Sequence, residues 1–112
     1  MTYSDIIKDY KQSLTDKTQI IKTEMNLFYN NCIDSTNFVS DYDKFVETFE
    51  NKIAFYGAKY SMSSPEILLD TIYKNQCFSD SIEVELDLRD YYKSLRQKLY
   101  DKIPLLDNSL ED

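Results

Sequence analysis

Seven apolar residues, Phe38, Tyr42, Phe45, Phe49, Ile53, Tyr56 and Tyr60, follow one another at intervals of four, three, four, four, three and four. Only an α-helix brings all seven onto one face, because its 3.6-residue turn makes positions three and four apart neighbours. Val39 and Val46 widen that face, and Ser35 or Thr36 is placed to cap its start. The spacing predicts a helix of about six turns, one side of which other elements must cover.

A second stripe precedes it. Tyr3, Ile7, Tyr10, Leu14, Ile21, Met25 and Phe28 recur at three- and four-residue steps over residues 3 to 31, with Ile6 and Ile20 widening the apolar side. The stripe is interrupted at Thr15-Asp16-Lys17-Thr18-Gln19. Either Thr18 fills the gap through its methyl group, or the helix breaks and restarts near Thr15; one long helix is the favoured reading. Asn30-Asn31-Cys32-Ile33-Asp34-Ser35 reads as the turn that follows, since Asn, Asp and Ser compete with helix for backbone hydrogen bonds.

Beyond the central stripe the pattern changes. Gly57, the only glycine, either ends the helix with a positive φ or lets another helix cross closely. Ser61-Met62-Ser63-Ser64 reads as a loop, after which Ser64 and Pro65 suit the N-cap and first position of a short third helix, about 65 to 76. That helix carries Ile67, Leu68, Leu69, Ile72 and Tyr73 and predicts burial on more than one side. In Ile82-Glu83-Val84-Glu85-Leu86-Asp87-Leu88-Arg89 the strict alternation fits a strand, whereas Val84, Leu88, Tyr91, Leu95 and Leu99 fit a helix capped by Ser79, Asp80 or Ser81. Acids come first and Lys93, Arg96, Lys98 and Lys102 last, an order that complements the helix dipole. Helix is preferred, because a lone strand has no pairing partner in the chain. The predicted fold is all-α: a compact antiparallel bundle of about four amphipathic helices, with a short strand at 82–88 as the alternative. Residues 1–104 form one helical domain and 105–112 a short acidic tail.

Composition removes most catalytic designs. There is no His, so neither a Ser-His nor a Cys-His nucleophile pair can form, and one glycine cannot build a phosphate-cradling loop. Asp41-Tyr42-Asp43 opens like a calcium loop, but Phe45 and Val46 occupy ligand and glycine positions. No metal or other cofactor is expected. Cys32 and Cys77, 45 positions apart, read as two buried reduced thiols of a cytosolic protein, with a disulfide between them as the alternative. A net charge of −7 opposes direct binding to nucleic acid or an anionic membrane. No apolar run is long enough to span a bilayer, and Met1-Thr2-Tyr3-Ser4-Asp5 does not begin a signal peptide. A cytoplasmic location is therefore expected. The abundance of Tyr, Phe, Ile, Asn and Lys is what AT-rich codons supply to any protein, so the ten tyrosines alone do not mark a binding surface.

Two acidic clusters remain as candidate sites. Asp41, Asp43, Glu47 and Glu50 lie along the polar side of the second helix, and Asp80, Glu83, Glu85, Asp87 and Asp90 fall within eleven residues. These rows serve either as ordinary solvated faces or as presented negative charge that docks on a partner's basic surface. Tyr42, Tyr91 and Tyr92 sit beside them as contact-rich anchors, with one ring of the Tyr91-Tyr92 pair directed to the core and the other to the surface. The functional expectation is a non-enzymatic protein–protein interaction module of the kind carried by phages or mobile elements. Such a module would block a basic, nucleic-acid-binding site on a host or defence protein. An immunity protein against a cognate toxin and a self-assembling subunit, such as a homodimer, are the alternatives.

Overall fold

The computed structural model describes residues 2–60 and 70–103, and the side chains of all of these but 58–60. Within them are three helices and no strand: α1 (Tyr3–Ile33), α2 (Phe38–Tyr60) and α3 (Thr71–Tyr100). At 1.5 Å per residue, α1 and α3 each run for about 45 Å and α2 for about 35 Å. Ring and ion contacts fix their directions. Phe28 meets Phe45 and Phe49, and Glu24 pairs with Lys52, so α1 and α2 are antiparallel. Tyr3 lies against Tyr73 and Lys22 against Asp87, which makes α3 parallel to α1.

The same apolar rhythm recurs in all three helices. Tyr3 to Met25, Phe38 to Tyr60 and Cys77 to Leu99 each advance by four, three, four, four, three and four residues. This is an eleven-residue repeat of about 3.67 residues per turn, close enough to 3.6 that each stripe stays on one side of a nearly straight helix. Thr18 supplies the inward position that lacked an apolar residue. It is buried, and its hydroxyl donates to the Thr15 carbonyl at 2.8 Å, so α1 continues without a break. Rings dominate the centre: Phe45 lies 5.0 Å from Phe49 and 5.8 Å from Tyr92, and Phe28 packs edge-on against both phenylalanines at 5.8 Å.

The all-α expectation holds, but the count of helices changes. Ser79, Asp80 and Ser81 do not start a fourth helix; they lie inside α3, where the Ser81 hydroxyl donates to the Phe78 carbonyl at 2.7 Å. The N-cap is Asp70, whose carboxylate accepts from the Ile72 amide at 2.8 Å. The start of the predicted short helix, 65–69, and the tail 105–112 lie outside the described residues. Segment 82–88 is helical: Val84 and Leu88 turn inward while Ile82 and Leu86 stay exposed, so alternation reflected two faces of a helix. Tyr92, not Tyr91, holds the buried position between Leu88 and Leu95.

Gly57 serves close approach. It lies inside α2 with a negative φ, and a Cβ built on it would sit 2.9 Å from the Glu85 side-chain carboxyl carbon and closer still to its oxygen. Glu85 in turn takes Arg89 at 2.8 and 3.1 Å. In a Glu85→Ala background, Gly57→Ala is expected to raise the unfolding free energy by about 1 kcal/mol through helix propensity. With Glu85 present most of that gain is lost, and a double-mutant cycle in urea should read a coupling of about 0.5 kcal/mol or more.

Candidate functional site

The bundle brings the acidic clusters to the seams between helices, where lysines and arginines meet them. Along α1/α3, Lys11 lies 3.4 Å from Glu83 and 3.9 Å from Asp80, and Lys22 lies 2.5 Å from Asp87. Asp80 is buried and also accepts from the Gln76 amide at 3.0 Å. Along α2/α3, Glu50 accepts from the Tyr92 hydroxyl at 3.1 Å and from Arg96 at 3.2 Å. Asp41 takes a hydrogen bond from the Ser35 hydroxyl, which closes the α1–α2 turn. Of the predicted docking acids, Asp43, Glu47 and Asp90 are exposed and have no ion pair among the described residues.

The tyrosines divide in the same way. Tyr92 is 4% exposed, and burial together with its hydrogen bond to Glu50 pushes its phenol up to about 12 from the usual 10. Tyr91 is half-buried beneath the Lys22 ammonium, 5.3 Å from the ring centre. Tyr42 is half-buried with its ring 6.3 Å from that of Tyr100; burial raises its phenol pKa, which Arg96 partly offsets. None of the three is a free surface ring.

Both thiols are fully buried, and burial raises each pKa, with Asp41 adding to the effect at Cys32 and Asp80 at Cys77. By the pairing of Tyr3 with Tyr73, Cys77 is level with residue 7 of α1. Cys32 lies 25 residues further along, on the order of 35 Å away, which no disulfide can bridge. Among the described residues no cluster of His, Cys, Asp or Glu could hold a metal ion, and no helix is long and apolar enough to cross a membrane.

The feature that sequence reading missed is apolar. Between α1 and α2 runs an open groove of about 470 Å³, lined by the apolar side chains of Ile20, Ile21, Phe55 and Tyr56 and by Lys17, Glu24, Asn51 and Lys52. Ile20 was expected to widen the buried stripe, yet it is 60% exposed, and Phe55 is 67% exposed. The available signal was angular: Phe55 lies between the inward residues Ile53 and Tyr56, and Ile20 precedes Ile21, so both fall to one side of their stripes. The two grooves along α1/α3 are more polar, lined by residues such as Lys8, Lys11, Gln76 and Asp80, or Thr15, Gln19, Glu83 and Asp90. No protein-family model matches the chain, and neither does any curated protein or solved structure.

Two outcomes are expected. Below pH 10 the phenol of Tyr92 is protonated in both folded and unfolded chains, and its contribution to stability is complete. Between pH 10 and about 12 the unfolded chain ionises first, so stability falls as pH rises. The loss is on the order of 1–2 kcal/mol after allowance for solvent screening, and Tyr92→Phe should flatten that part of a urea-midpoint profile. Cys32 and Cys77 should react with an aromatic disulfide reagent about 100-fold more slowly in the native protein than in urea, because labelling requires opening of the bundle.

Proposed function

We propose that this chain is a non-enzymatic protein-binding module whose docking face is the groove between α1 and α2. The observation that carries the reading is that Ile20 and Phe55, each more than half exposed, line one groove together with the apolar side chains of Ile21 and Tyr56. Full burial of either side chain is worth roughly 1.5–3 kcal/mol, a gain that a docked partner supplies and the isolated bundle forgoes. The absence of histidine from the sequence and the engagement of most docking acids in internal pairs favour binding over catalysis.

A second reading keeps the acidic surface as the docking element, blocking a basic nucleic-acid-binding site on another protein. Its support is the net charge of −7 together with Asp43, Glu47 and Asp90, which carry charge to solvent. It gives up Asp80 and Glu50 as contact residues, since moving them would undo the seams.

The test is an affinity capture with three baits: wild type, Phe55→Asp, and the triple reversal Asp43→Lys, Glu47→Lys, Asp90→Lys. Washes at about 0.1 M and 0.5 M salt separate charge-led from apolar docking. A partner lost with Phe55→Asp and retained through the salt step is the expected result. A partner lost with the triple reversal and released by salt would replace the first reading with the second. A partner indifferent to both sets of changes would overturn both.

A further inference from the structure

The seam that carries the groove is complementary to itself. We infer that it takes a second copy of this chain, the two copies packed face to face about a two-fold axis parallel to α1 and α2. The inference rests on the docking-face reading above and names the partner of that face.

Three exposed apolar residues mark the seam. Ile20 and Phe55 line the groove, and Leu27, 62% exposed, stands seven residues after Ile20 and therefore on the same side of α1. The ion pair of Glu24 with Lys52 joins the two helices between them, so the middle of the strip presents both signs of charge and no net charge. A chain of net charge −7 repels its own copies through its acidic faces. A strip whose central charges cancel is where two copies meet at least cost.

Charge also selects the orientation. Because α1 and α2 are antiparallel, Glu24 is level with Lys52, and Ile20 lies beside Phe55. A two-fold axis running along the seam exchanges the two helices at equal height. Each Glu24 then faces the second copy's Lys52, each Ile20 faces the second copy's Phe55, and the four charges alternate around a square. An axis across the seam at the height of the pair would lay Ile20 on the second copy's Leu27, but it would also set Glu24 on Glu24 and Lys52 on Lys52. Both dockings cover apolar surface with apolar surface. Only the first brings opposite charges together.

The face is large enough to hold such a dimer. α2 runs for about 35 Å, and two helices side by side are about 20 Å wide, which gives about 700 Å² per copy. Two such faces bury about 1,400 Å², within the range of specific interfaces. The α1 and α2 helices of both copies then form a four-helix antiparallel bundle.

The experiment is sedimentation equilibrium of the full chain from about 5 to 300 μM, with circular dichroism to show that each variant keeps native helix content. Twice the chain mass of 13.3 kDa is the expected state at the upper end. Phe55→Asp should weaken dimerisation about tenfold or more. Glu24→Lys and Lys52→Glu each make the four charges alike and should weaken it about tenfold, less so in high salt. Mixed in equal amounts, those two variants should associate with each other as strongly as wild type does with itself, which a pair restored within one chain cannot produce. Disulfide trapping reads the axis: in mixtures, Ile20→Cys should crosslink to Phe55→Cys and not to Leu27→Cys. A monomer at every concentration, a dimer indifferent to Phe55→Asp, or charge variants that fail to associate when mixed would overturn the second-copy inference. Crosslinking to Leu27→Cys instead would overturn the axis. The docking face itself falls only when a captured partner is indifferent to Phe55→Asp, so the two failures are read from different measurements.

Discussion

The contact on which the rest of the bundle depends is the ring cluster where all three helices meet. Phe45 and Phe49 of α2 project between Phe28 of α1 and Tyr92 of α3, with centroids 5.0 to 5.8 Å apart. Each ring removes a large apolar area from water, and the edge-on and tilted arrangements add favourable quadrupole contacts. With no disulfide in the described residues, this cluster and the aliphatic positions flanking it supply most of the driving force. Because α2 alone touches both other helices through these rings, its placement decides which of their faces remain open. The groove beside Ile20 and Phe55 is a direct result: α2 seats its inward rings centrally, and the residues one position aside are left over the gap to α1.

Charge plays a supporting part that only the assembled structure makes visible. Acids were conspicuous as rows in the sequence, yet a row on one helix carries no information about cations that another helix will bring beside it. Lys11 lies 72 residues from Glu83 and Lys22 lies 65 residues from Asp87. Such pairs are mostly solvent-accessible and individually worth little, roughly 0–1 kcal/mol. Their larger effect is to lower the free negative charge along α3 and so to weaken any imitation of a phosphate chain.

Local periodicity made much of the fold legible. The stripe of α2 and the continuity of α1 through Thr18 follow from angular position alone, since a methyl-bearing side chain at the correct angle packs as an apolar one does. The choice of helix at 82–88 came from the missing strand partner and the order of charges, both local or countable. What could not be read was the fusion of the last segments into one α3. Ser79-Asp80-Ser81 looks like a cap in sequence, and it is held in helix because Ser81 and Asp80 face α1 and the core instead of a free helix start. The groove between α1 and α2 was hidden for a related reason: exposure of Ile20 and Phe55 depends on the gap between two helices, a quantity no single stripe contains.

Gly57 and Glu85 have a consequence for how the helices choose their alignment. Three stripes with the same four-three-four rhythm are interchangeable rulers, and sliding α2 along α3 by one turn would still lay apolar residues on apolar residues. Such a slip brings the Glu85 carboxylate to the level of Ile53 or Ala54, where a Cβ occupies the space that Gly57 leaves open. It also parts Glu50 from Tyr92 and Arg96. The apolar rhythm makes these helices associate, while one absent side chain and one buried hydroxyl act as the notch and pin that select a single setting among near-equal ones.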